Sequence, residues 1–82
     1  MKYIYLPRAD RYTDENGVPY TLYGIDVWRI PDRDARLFRS YPNLFADPVD
    51  AEQLATALTE IDPTPETAEG MIREAGERSR RP

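Results

Sequence analysis

A two-layer α+β fold, with a three-stranded antiparallel meander followed by two antiparallel helices packed on one sheet face, is predicted by three observations. The first half of the chain is rich in Tyr, Ile and Val and is interrupted by an Asn16-Gly17 pair. Residues Ala51, Leu54, Ala55, Leu58 and Ile61 recur at helical spacing. Thr64-Pro65 then opens a second helical run directly after Asp62-Pro63 closes the first. β-branched and aromatic residues suit a pleated, half-buried surface, whereas a 3.6-residue recurrence is gathered onto one side only by a helix. The element order is therefore β-β-β-α-α.

Residues 1 to 6 make the first strand, carried by Tyr3, Ile4, Tyr5 and Leu6, and Pro7 cannot donate to a central ladder, so the strand lies at an edge or ends at a bulge. Asn16-Gly17 favours positive φ at both positions, as a tight hairpin turn requires. Residues 18 to 30 form the return strand. By two-residue alternation, Thr21, Tyr23, Ile25 and Val27 share one face, and Tyr20, Leu22, Gly24, Asp26 and Trp28 share the other. Residues 31 to 34 (Pro-Asp-Arg-Asp) make a turn, and residues 35 to 40 a short third strand with Leu37 and Phe38 on opposite sides. A one-turn helix opened by Pro31 competes for that segment.

The first helix is capped by Asp47, with Pro48 at its first position, or by Asp50 with Gln53 three residues on. Asp62-Pro63 stops it. Thr64 caps the second helix, Pro65 occupies the position where a missing N–H costs nothing, and Ala68, Met71, Ile72 and Ala75 supply its apolar stripe. A connection this short implies antiparallel helices on one side of the sheet. Residues 1–78 make one small domain and residues 79–82 a basic tail.

With 82 residues the core is near the lower size limit for stability without staples, so a partner or a second copy would help it. The chain has no cysteine and no histidine. This removes disulfides, thiolate chemistry, the commonest zinc ligand and the usual general base at neutral pH, and no metal or cofactor is expected. No apolar run approaches the ~20 residues of a membrane-spanning helix, and the apolar start of the chain is too short for a signal-peptide core, which makes a cytoplasmic location the expectation.

The net charge of −4 is unevenly spread. Between Ser40 and Ile72 stand seven carboxylates (Asp47, Asp50, Glu52, Glu60, Asp62, Glu66 and Glu69) and no Lys or Arg, while basic residues are frequent on both flanks. Such a stretch favours cationic partners and repels phosphate backbones.

Tyr20-Thr-Leu-Tyr23-Gly24-Ile25, then Asp47 leading into Leu54 and Leu58, then Pro65 leading into Ile72-Arg-Glu74, is a pattern spanning roughly residues 18 to 76. In it the chain resembles a family of small uncharacterised bacterial proteins that share a Tyr-Gly-Ile strand followed by two helices. The resemblance implies the same fold and a bacterial or phage origin, and brings no activity with it.

The side chains present bear on several chemistries. Asp26, Asp32, Asp34 and Asp47 could converge as an acid–base pair, but carboxylate chemistry needs a shielding cleft that a domain of this size scarcely offers. Asp14, Glu15 and Asn16 lack the alternating ligands and distal Glu of a calcium loop. Nucleic-acid binding would fall to Arg29, Arg33, Arg36 and Arg39 with Trp28, Phe38 and Tyr41 as stacking groups, against an opposing overall charge. An acidic decoy, occupying a basic groove of a nucleic-acid-handling protein, would use Glu52, Glu60, Glu66 and Glu69 on the outer helix faces. A small non-catalytic protein-binding module accounts best for six tyrosines, two phenylalanines and a tryptophan, more aromatic surface than so small a core can bury. Its expected contact residues are Tyr20, Leu22, Trp28 and Phe38 with Arg36 beside them, then Glu52, Glu60 and Glu66, and the expected partner is another protein or a second copy of the chain.

Overall fold

The computed structural model describes residues 2–30 and 35–80. Three strands, β1 (Lys2–Thr13), β2 (Pro19–Ile30) and β3 (Arg36–Phe45), form one antiparallel sheet in the order β1-β2-β3, followed by α1 (Pro48–Ile61) and α2 (Pro65–Arg80). The fold class is the α+β meander with two helices that the periodicities predict. The turn expected over residues 31–34, with the competing helix opened by Pro31, lies outside the described residues. Of the expected basic tail, residues 79 and 80 complete α2, and residues 81–82 are likewise outside.

β1 does not stop at Pro7. It pairs in unbroken register with β2 from Lys2↔Ile30 to Thr13↔Pro19. Pro7 is tolerated because β1 is an edge strand, where a residue without an N–H can turn its nitrogen to solvent. The hairpin turn also differs from a two-residue turn. Gly17 has φ 78°, whereas Asn16 stays at negative φ. The Gly17 amide donates to the Asp14 carbonyl at 3.0 Å, and the Asp14 carboxylate accepts from the amides of Asn16 and Val18 at 2.8 Å each. One aspartate thus satisfies a five-residue loop, and only the glycine has to adopt the left-handed conformation.

β3 runs five residues past its expected end, and its register against β2 shifts twice, between Tyr23 and Ile25 and between Val27 and Trp28. The first shift accompanies Asn43 at φ 61°. There the Tyr41 carbonyl and Pro42 lie so close to Gly24 that a Cβ built on Gly24 would overlap the carbonyl oxygen. Glycine lets the two backbones approach.

The helix ends follow the sequence closely. Asp47 (φ −104°, ψ 125°) caps α1, its carboxylate accepting from the Val49 amide at 2.9 Å. Asp62 ends α1 in the left-handed conformation, φ 52°, and its amide donates to the Leu58 carbonyl at 2.9 Å. At the start of α2 the Thr64 carbonyl accepts from the Ala68 amide at 2.9 Å. Glu66 in the first turn and Arg78 and Arg80 in the last match the helix dipole.

α1 lies mainly over β1 and α2 over β3. Tyr5, Ile25 and Val27 of the sheet meet Ala55 and Leu58 of α1 and Ala68 and Ile72 of α2, with Tyr3, Tyr41, Leu44, Leu54 and Met71 packed at the margin. The molecule is elongated, 47 × 27 × 18 Å. Past Ala9 and Tyr23 the helix-side positions of the hairpin change to Arg11, Thr13 and Thr21, and the hairpin continues without helix cover as far as its exposed turn.

Candidate protein-contact surfaces

The helices cover one face of the sheet only. On the other face the register aligns Ile4, Trp28 and Leu37 in a row across all three strands, since Ile4 pairs with Trp28 and Trp28 with Leu37. Leu6 and Ile30 flank that row on the same face. Leu6 is 48% and Leu37 51% exposed, while Ile4, Trp28 and Ile30 are half-buried. Among the described residues, Lys2 at its rim is the one charged side chain beside this row on the open face before Asp26.

Beyond it stands a polar island. Arg8 grips Asp10 with two hydrogen bonds, Nε to Oδ2 at 2.9 Å and Nη2 to Oδ1 at 2.8 Å, and reaches Asp26 at 3.1 Å. The Ser40 hydroxyl donates to the same Asp26 oxygen at 2.8 Å. The fork to Asp10, and then Asp26, holds the Arg8 guanidinium charged above its already high range, and Arg8 holds the Asp10 carboxyl below the usual carboxylate range. Farther along, Tyr12 and Tyr20 stack at 5.5 Å, and the Tyr12 hydroxyl donates to the Asn43 side chain at 2.5 Å.

Of the expected contact residues, Tyr20, Leu22 and Trp28 share the open face, although the polar island separates Trp28 from the other two. Phe38 belongs to the opposite side. It packs edge-on against Tyr3 with centroids 5.3 Å apart and borders a small void with Tyr5, Val27, Tyr41 and Ile72. The bulge between Val27 and Trp28 is the cause: Arg39 pairs with Val27 and Leu37 with Trp28, so Phe38 is the extra residue. Leu37 takes the place on the open face.

Arg36 sits opposite Arg29 on the helix side of the sheet. Arg39 lies over the Phe38 ring at 5.5 Å and approaches Glu69 at 3.6 Å. The pleat thus puts these arginines on the face away from Trp28, and Arg33 lies outside the described residues. Asp26 and Asp47 do not converge, one being held by Arg8 and the other capping α1. Among the described residues no group of three or more Asp or Glu side chains could hold a metal ion, and no helix is long and apolar enough to cross a membrane.

The acidic side of α1 forms a second surface. Glu52, Ala55, Thr56, Thr59 and Glu60 line a groove of about 510 Å³ against Tyr5, Leu6 and Pro7 of β1. Glu69 is paired with Arg73 at 2.9 Å and Glu74 with Arg78, whereas Glu52, Glu60 and Glu66 form no ion pair among the described residues. Glu66 stands on the first turn of α2 and does not line the groove.

No family model, curated protein or solved structure matches the chain.

Proposed function

We propose that the protein is a small non-catalytic protein-binding module whose contact surface is the open face of its sheet, with a second copy of the chain as the occupant. The observation that carries this reading is the Ile4–Trp28–Leu37 row, flanked by Leu6 and Ile30, on the face that neither α1 nor α2 covers. Non-catalytic action is supported by the lack of histidine and cysteine.

Sheet extension is the competing route to association, and both edges oppose it. β1 carries Pro7 at mid-strand, and β3 is interrupted by two register shifts with Pro42 and the left-handed Asn43. Such features blunt an edge against an incoming strand. Face-to-face packing needs no free backbone groups. An uncharged apolar patch is moreover complementary to itself, as a two-fold interface demands. The Arg8 island, tied together by its bonds to Asp10 and Asp26, would form the polar rim.

Sedimentation equilibrium from micromolar to millimolar concentration tests the reading, with emission from Trp28, the single tryptophan, as a second signal. Expected is a reversible dimer whose formation shifts Trp28 emission to the blue, and a monomeric Leu37→Glu variant. A chain that stays monomeric over that range with unchanged emission overturns the second copy as occupant.

A further inference from the structure

The groove between β1 and α1 carries a different kind of specificity. Its α1 wall follows the spacing i, i+3, i+4, i+7, i+8: Glu52, Ala55, Thr56, Thr59 and Glu60. These residues form one broad stripe along the helix, with a carboxylate at each end and a methyl and two threonines between them. Eight residues of α-helix separate the two glutamates by about 12 Å along the axis. The opposite wall is Tyr5, Leu6 and Pro7, and none of the groove's lining residues is basic. Tyr5 is 2% exposed, and its hydroxyl has no hydrogen-bond partner among the described residues.

An extended chain rises about 3.3 Å per residue and presents every second side chain to the same side. Residues i and i+4 of such a chain are therefore about 13 Å apart and face the same way, with residue i+2 between them. This matches the separation of the two glutamates. On a helical ligand side chains four apart rise only about 6 Å, so spanning the two glutamates would take cations roughly seven or eight residues apart, not the four of an extended chain.

We propose that this groove binds an extended basic segment of a partner protein with the pattern cation–x–apolar–x–cation, Glu52 and Glu60 receiving the two cations and the apolar side chain lying against Ala55 and Pro7. Charge complementarity selects this occupant. No Lys or Arg interrupts residues 40 to 72, so the carboxylates repel polyanions and leave a cationic chain as the ligand their field attracts. The groove shares Leu6 with the open-face patch, but Glu52 and Glu60 stand on α1 outside that patch, so this inference is tested by residues the dimer does not use.

The probe is an acetylated, amidated nonapeptide, Gly-Ser-Lys-Ser-Leu-Ser-Lys-Ser-Gly, titrated into the full chain and followed by amide chemical shifts. The control is its isomer Gly-Ser-Lys-Lys-Ser-Leu-Ser-Ser-Gly, of equal charge but wrong spacing. Expected are saturable shifts at Tyr5, Ala55, Thr56 and Thr59 with the Trp28 indole unmoved, and affinity roughly tenfold lower for Glu52→Gln/Glu60→Gln, as befits two solvent-screened ion pairs. The isomer should bind several-fold more weakly. Both glutamates are exposed, so the variant keeps the fold, which its own amide spectrum verifies. As a reciprocal arm, Glu52→Lys/Glu60→Lys should lose the basic peptide and gain Gly-Ser-Glu-Ser-Leu-Ser-Glu-Ser-Gly. Absence of saturable shifts at millimolar peptide, equal affinity for the two isomers, or equal affinity in the neutralised variant each overturns the proposal. Failure of the dimer would instead appear in sedimentation and at Trp28, so the two results are separable.

Discussion

The two faces of this one sheet are built from the same strands and the same residue classes, yet they do different work. On the helix side Ile25 is fully buried and Val27 and Tyr5 nearly so, whereas on the open side Leu6 and Leu37 expose about half their surface. A residue's contribution to folding follows the apolar area it removes from water, so side chains of similar hydrophobicity stabilise the fold on one face and remain available for contact on the other. Alternation along β2 distributes them: Ile25 and Val27 go one way, Trp28 the other.

The comparison is sharpest for Ile25 and Leu37, which are similar in volume and oppositely placed. Ile25→Ala should cost about 3–4 kcal/mol, because the vacated space lies between two helices and the sheet and can close only in part. Leu37→Ala should cost no more than about 0.5 kcal/mol, in the range of surface substitutions. Urea denaturation of the two variants at one low concentration, where association contributes little, measures both. Comparable losses would mean that the open face is part of the folding core and would remove the distinction drawn between the faces.

Gly24 tests the join between the faces. It lies on the alternation that leads to the open face, yet it is buried, because β3 crosses close above it at Tyr41 and Pro42. The obstructing atoms are backbone and cannot rotate aside, so Gly24→Ala should cost about 2–3 kcal/mol by the same denaturation measurement. It should also disturb the amide signals of residues 41–43 more than those of the helices. A neutral substitution would mean that the register shift between Tyr23 and Ile25 is soft, and that β3 can move off β2 without penalty.

How far these features were legible in the sequence depends on the distance over which each is decided. The helix ends were readable because their signals are local: Asp47 caps its own helix, and Asp62 and Thr64 act within four residues. The open-face positions of Tyr20, Leu22 and Trp28 were readable from the two-residue period. Phe38 was not, because a bulge adds one residue and reverses the alternation, and bulges follow from how two strands meet. For the same reason the third strand, expected to end at residue 40, continues to Phe45: passage through Pro42 and the left-handed Asn43 depends on the close approach of β2 at Gly24. In the groove, Glu52 and Glu60 were legible as carboxylates outside the apolar stripe of their helix. Their wall of Tyr5, Leu6 and Pro7 is set by the packing of α1 over β1, a contact between residues some fifty positions apart.

Tyr5 gives the smallest expected effect and the most direct check on the buried side. Its ring belongs to the core, but its hydroxyl has no hydrogen-bond partner among the described residues. An unpartnered buried hydroxyl opposes folding, so Tyr5→Phe should leave stability at neutral pH unchanged or raise it by up to about 1 kcal/mol, in contrast to the loss at Ile25. Burial, and then the negative charge of Asp62, raise the phenol's pKa above its ordinary value. With the folded-state pKa above that of the unfolded chain, the folded protein keeps its proton over a window in which the unfolded chain releases it. This contribution is therefore complete below about pH 10 and is lost as pH rises toward the folded-state value. Stability of the wild type should accordingly fall more steeply than that of Tyr5→Phe above about pH 10, measured by urea denaturation along a pH series. Parallel alkaline limbs would show that the phenol's proton is held no more tightly in the folded than in the unfolded chain, and a Tyr5→Phe variant weaker by more than about 1 kcal/mol at neutral pH would show that the hydroxyl has a stabilising partner.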